Sequence, residues 1–179
     1  SSVYAADGSL IGEFYTERRY LVPLQEIPPH VVKAFLASED VRFYEHGGVD
    51  LPGIIRATLK NLEAGEIVQG GSTITQQVVK SLLLTPEKTY VRKLKEAVLA
   101  YRIDHALSKN EILYLYLNQI YFGAGAYGVE AAARTYFDKH TTELTLAQGA
   151  MLAGLPKAPS RFSPTQNCSV AKDRQEYVL

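Results

Sequence analysis

Residues 28–48 read PPHVVKAFLASEDVRFYEHGG, and the helical period begins in this stretch. Val31, Val32, Phe35 and Leu36 recur at helical spacing after the two prolines, so a helix is expected from His30 to about Asp40. Two carboxylates, Glu39 and Asp40, stand at its end, with Phe43 and His46 close behind. A carboxylate partly buried there would have its pKa raised toward the working range of a general base. Taken alone, the pair reads more readily as an exposed helix end carrying ordinary acids.

Before this stretch the chain reads as extended. Val3-Tyr4 and Leu10-Ile11 flank Asp7-Gly8, a dipeptide favoured in hairpin turns, and Leu21-Val22 suits another short strand. After it the helical period persists. Asp50 is placed to cap a helix with Pro52 in its first turn, apolar at Leu51, Ile54, Ile55, Leu59 and Leu62, and stopped by Gly65. A glycine-rich stretch, Gln69-Gly70-Gly71-Ser72, leads into a helix from Thr73 to Leu84. Pro86 opens a long helix over about Glu87–Leu107, and Ser108 with Glu111 forms a capping box for the next, through Asn118. Phe122–Gly128 reads as a loop. Helices follow near Val129–Phe137 and Thr145–Leu155, and the tail with Pro159 and Pro164 reads as irregular. The expected fold is mainly α with a short β segment at the N-terminus.

The chain has 179 residues, enough for one domain, and 46% hydrophobic content can fill a core. Its 19 basic and 19 acidic residues cancel, which argues against bulk nucleic-acid binding while leaving room for a local cationic pocket. One cysteine, Cys168, excludes an internal disulfide. No apolar run is long enough to span a bilayer, and the ends read as those of a piece of a longer protein.

Several motif matches fail on context. Gly123–Gly128 has the spacing of a dinucleotide fingerprint, but a helix rather than a strand precedes it, so a tight helix–helix turn is expected. Gly65–Ser72 has P-loop glycines with Gly71 where the lysine should be. Ser169-Val-Ala-Lys172 lacks the partner motifs of penicillin-reactive enzymes. His30, His46, His105 and His140 show no metal-ligand spacing.

Further segments carry the groups that glycosyl transfer from a phosphate-linked sugar needs. In Gly70-Gly71-Ser72-Thr73-Ile-Thr75-Gln76-Gln77, continuing to Lys80, accessible amides and a helix N-terminus favour anions; a flexible capping loop is the plain alternative. Arg92, Lys93 and Glu96 put cations beside an acid on one helix face, suited to a pyrophosphate leaving group or to a simple i,i+4 ion pair. Lys109–Asn118 reads mostly as core, with Asn118 the polar contact. Arg134, in Ala133–Phe137, faces either substrate or surface.

In this order, these segments closely resemble the glycosyltransferase module of class A penicillin-binding proteins and of monofunctional peptidoglycan glycosyltransferases. The resemblance runs from Val3 to the Pro156 region, with no departure at the motif positions. It implies a lysozyme-like, mainly α fold in a single domain, with a smaller apolar lobe within about residues 47–84 that dips into the membrane surface. It implies polymerisation of lipid II onto a growing lipid-linked glycan, with inversion and release of undecaprenyl pyrophosphate. Glu39 would be the base and Glu96 the second catalytic carboxylate. Asp40, Phe43, His46, Ser72, Thr73, Thr75, Gln76, Gln77, Lys80, Arg92, Lys93, Asn118 and Arg134 would contact substrate. A divalent cation, Mg or Mn, is the one cofactor contemplated, with no organic cofactor. The resemblance further implies moenomycin as inhibitor, no nucleic-acid partner, room for a transpeptidase domain in the parent chain, and a place on the outer face of the bacterial cytoplasmic membrane. The rivals are a lysozyme-like hydrolase or lytic transglycosylase, which has less use for Lys80, Arg92 and Lys93, and a non-catalytic scaffold, which would have lost an acid.

Overall fold

A computed structural model describes residues 2–13, 17–65, 70–84 and 89–179. The expected hairpin is present: β1 (Ser2–Tyr4) pairs antiparallel with β2 (Leu10–Glu13). Asp7 shapes its turn by accepting hydrogen bonds from the Ser9 amide and hydroxyl. The next strand comes three residues earlier than expected. β3 is Arg18–Arg19, and Leu21-Val22 lies outside any ladder. The Val22 backbone is instead bonded by the side chain of Asn118, whose Oδ1 accepts from Val22 N (2.9 Å) and whose Nδ2 donates to Val22 O (3.0 Å).

Helices then dominate: α1 (Pro29–Glu39), α2 (Leu51–Ala64), α3 (Ile74–Leu83), α4 (Tyr90–Ala106) and α5 (Lys109–Gln119). Asp50 occupies the N-cap position of α2, but its carboxylate bonds Arg42 rather than capping the helix. α3 has a complete capping box between Thr73 and Gln76, and α5 has the expected one between Ser108 and Glu111. Thr89 caps α4; Pro86 and Glu87, expected to open that helix, lie outside the described residues, as do 66–69 of the P-loop-like spacing.

Phe122–Gly128, expected as a loop between helices, holds β4 (Tyr121–Gly123) and β5 (Ala126–Tyr127). Gly123, Ala124 and Gly125 all take positive φ, the conformation of a tight hairpin turn, which accounts for the glycines without a nucleotide. β5 lies between β4 and β3, antiparallel to the first and parallel to the second. α6 (Val129–Phe137) and α7 (Leu146–Gly154) follow as expected. The tail is not irregular: it forms α8 (Pro159–Phe162) and α9 (Cys168–Val178), capped by Asn167.

The core gathers Val31 and Phe35 of α1, Ile74 and Val78 of α3, Ile112, Leu113, Tyr116 and Leu117 of α5, Phe122, and Leu152 and Ala153 of α7. Phe35 meets the rings of Tyr116 and Phe122 edge-on. α7 packs against both α1 and α9. α2 differs: Leu51, Ile55, Leu59 and Leu62 are exposed, as are Leu82 and Leu83 at the end of α3. Among the described residues, no helix is long and apolar enough to cross a membrane.

Candidate active site

A cavity of about 380 Å³ opens where the end of α1, the start of α2, the Gly70–Thr73 segment, α3, α4 and the α7–α9 region meet. Glu39 lies on its wall, partly buried, with Gln77 Nε2 of α3 donating to its Oε2 at 2.8 Å. Burial pushes the Glu39 carboxyl above its ordinary range; the Gln77 bond, the positive charges of Arg174 and Lys157, and Ser38 pull it back without cancelling the rise. Beneath it, Tyr116 is fully buried with no partner for its hydroxyl among the described residues, and burial and the nearby charges of Glu39 and Asp40 push that hydroxyl well above its usual pKa.

Asp40 also borders the cavity, but its oxygens are engaged internally. It pairs with His46 Nε2 (2.9 Å) and accepts from Ile74 N (2.9 Å), so it pins the N-terminus of α3. On the α4 wall, Glu96 is 2% exposed and bridges Arg92 Nη1 (3.3 Å) and Lys93 Nζ. Lys93 also donates to Ser72 Oγ, tying α4 to the glycine segment. Lys80 has no ion-pair partner among the described residues. Six cationic side chains line the cavity against four acidic ones, so a chain of zero net charge carries a positive site.

Of the residues expected in a site, Glu39, Asp40, Ser72, Thr73, Gln77, Lys80, Arg92, Lys93 and Glu96 are brought together here. The others are placed elsewhere. Phe43 is buried in the core under Lys109, and His46 is buried behind Asp40. Thr75 bonds Asp104, and Gln76 is spent on the capping box. Asn118 holds the Val22 backbone. Arg134 pairs with Glu130 and covers the Tyr20 ring.

A family model described as Transglycosylase matches residues 7–179. The chain belongs to the transglycosylase family. It is 51% identical to Penicillin-binding protein 1A of Aquifex aeolicus (strain VF5), covering 100% of this chain and 25% of that protein. It is 53% identical to Penicillin-binding protein 1A of Escherichia coli (strain K12), covering 99% of this chain and 21% of that protein. The crystal structure of Penicillin-Binding Protein 1A from Haemophilus influenzae matches with a TM-score of 0.55 at 31% identity, covering 99% of this chain and 17% of that one. The chain therefore spans about a quarter or less of the length of these relatives. The family expected from the sequence, the glycosyltransferase module of class A penicillin-binding proteins, is the one found, and the mainly helical fold agrees with it.

In this transglycosylase the cavity also includes side chains the sequence reading passed over: Ser38, Asp50, Arg56, Lys157, Arg174 and Tyr177. Ser38 sits inside the quoted acid stretch and could have been found there. Arg174 and Tyr177 lie in the tail expected to be irregular, where the helical spacing of Ala171, Arg174 and Val178 is the available signal.

Proposed function

We propose that this chain polymerises lipid II into β-1,4-linked glycan at the outer surface of the bacterial cytoplasmic membrane. The observation that supports this most is the pairing, in one cavity, of a desolvated Glu39 with the cations Lys80, Arg92 and Lys93. In the reaction, Glu39 accepts the proton of the acceptor's 4-hydroxyl as that oxygen attacks the anomeric carbon of the growing chain. The bond to pyrophosphate breaks as the new bond forms, so configuration inverts, and undecaprenyl pyrophosphate leaves with the electron pair. A pyrophosphate leaving group needs its charge met rather than a strong acid, and preorganised cations in a partly closed site do this well. Glu96, paired to Arg92 and Lys93, orients those cations.

Among the described residues no three His, Cys, Asp or Glu side chains stand close enough to share an ion, and Asp40, Asp50 and Glu96 already bind His46, Arg42 and Arg92 with Lys93. The exposed leucines of α2 and the end of α3 support contact with lipid, and the cavity's cations support moenomycin binding at the same place. The parent chain would carry further domains, a transpeptidase among them.

Labelled lipid II, incubated in detergent with the wild type and with Glu39→Gln, tests the reading. Wild type should make polymer, and the variant should be slower by on the order of 100- to 10,000-fold. The acidic limb of the wild-type profile should lie above the ordinary glutamate range, because Glu39 must be deprotonated and its folded pKa is raised. Equal polymer from both proteins refutes the mechanism. Shortened fragments from finished glycan would favour a lytic enzyme.

A further inference from the structure

We propose that Arg174, on α9, is a positioning residue for the base: its guanidinium, seated on Ser38 in the cavity wall, holds a fixed positive charge beside the Glu39 carboxylate during proton abstraction. The inference rests on Glu39 being the base of the transfer proposed above.

Arg174 Nη2 donates to Ser38 Oγ at 3.0 Å, 136 residues away in sequence, joining the last helix to the residue next to the base. Ser38 Oγ in turn lies 2.9 Å from Ala153 O, its stronger acceptor, and 3.5 Å from Glu39 Oε1, so it is fixed between α7 and the base. The guanidinium stacks over the ring of Tyr177 (4.6 Å to the centroid) and lies 5.8 Å from that of Phe162, which fixes its plane. Finally, α7 makes room for it: a Cβ at Gly154 would come within 2.8 Å of Arg174 Cγ. A glycine in that place, in an otherwise well-packed helix, leaves space for this one side chain.

Arg174 forms no ion pair among the described residues, and Glu39 is a carboxylate on which its charge acts. The other groups around Glu39 are Gln77 from α3, Tyr116 from α5, Lys157 after α7, and its neighbour Asp40. Tyr116 and Asp40 do not favour the ionised base. Gln77 donates one hydrogen bond, and Lys157 is an exposed side chain. Of the two cations whose charge acts on Glu39, Arg174 is the partly buried one, and its seats on Ser38 and Tyr177 hold its guanidinium beside the residue next to the base. It does not touch the reacting atoms itself.

The test compares wild type, Arg174→Met, which keeps the packing and loses the charge, and Arg174→Lys, which keeps the charge. Two readouts are taken: ¹³C NMR titration of labelled glutamate carboxyls, with Glu39→Gln identifying the signal, and the pH profile of lipid II polymerisation. In Arg174→Met, the Glu39 titration midpoint should rise by on the order of one pH unit. The acidic limb of the rate should move by the same amount, with the rate recovering at high pH. Arg174→Lys should restore most of both. An unmoved midpoint, or a loss of rate equal at every pH, overturns the proposal. If Arg174→Met does not fold, Arg174→Gln keeps a hydrogen-bond donor toward Ser38, loses only the charge and should shift the midpoint in the same direction; no shift there overturns it equally. A midpoint that moves in a protein making no polymer would sink the transferase reading while the Arg174 assignment to Glu39 stands.

Discussion

Replacing Asp40 with asparagine separates a structural pin from a substrate contact. The Asp40 carboxylate is 3% exposed and takes hydrogen bonds from His46 Nε2 and from Ile74 N at the start of α3. Asparagine is the same size but keeps only one oxygen; its amide then directs N–H groups toward a donor. The bond to Ile74 N is charge-assisted and worth about 2 kcal/mol. The charge also complements the positive end of the α3 dipole, for about 1 kcal/mol more. Asp40→Asn should therefore destabilise the fold by about 3 kcal/mol, lowering the thermal midpoint by roughly 10 °C for a domain of this size. Urea or thermal unfolding followed by circular dichroism measures this. Polymerisation should fall mainly through kcat, because α3 carries Gln77, which holds the base, and Lys80. A midpoint shift under about 3 °C, accompanied by a raised KM alone, would refute the pin and make Asp40 a substrate ligand.

Glu130 offers a pH test away from the cavity. Burial pushes its carboxyl up, but bonds from Thr141 N and Oγ1, Arg134 and His140 outweigh this and hold it at about 2. A depressed folded pKa gives stability that is complete above the ordinary value of about 4.5 and lost as the pH falls through about 2. Allowing for screening at Arg134 and His140, which are 39% and 64% exposed, the loss across that window is about 2 kcal/mol. Glu130→Gln should flatten the dependence, as denaturation midpoints between pH 5 and pH 2 would show; an unchanged slope would contradict it. Gly48→Ala should cost about 3 kcal/mol, combining left-handed strain at φ +89° with a Cβ only 2.4 Å from Ala100 O of α4. A variant within 1 kcal/mol of wild type in urea melts would show that the α4 contact yields.

Much of this was legible in the sequence because its signals are local. The Asp7-Gly8 turn, the period of Val31 to Leu36 and the Ser108–Glu111 box each act within a few residues, and each is found where expected. What was illegible depends on long-range partners. Asn118 is a polar residue at a helix end in a functional segment, which from sequence points to a substrate contact. Its partner, the Val22 backbone, is 96 residues away, and no spacing rule reports it. The same holds for Thr75 with Asp104 and for Lys109, which donates to both Asp104 and His46 O. Prolines 159 and 164 suggested an irregular tail, although Pro159 fits the first turn of α8 and α9 starts beyond Pro164.

These buried polar residues explain why the segments expected to be catalytic contain more side chains than the cavity can touch. Glu39 can be fixed only if α1, α3, α7 and α9 keep their relative places, and apolar packing alone permits small slides between helices. A hydrogen bond that must be made, because its loss strands a buried polar group, does not. Asp40 ties the end of α1 to the start of α3, and Thr73 Oγ1 ties that same start to Gly48 O at 2.6 Å. Ser38 ties α1 to α7 and, through Arg174, to α9. On the proposed mechanism the acid stretch supplies one group for the reaction, Glu39, and two, Ser38 and Asp40, that hold it still. Exchanging either kind should slow turnover, and stability and pH measurements tell them apart.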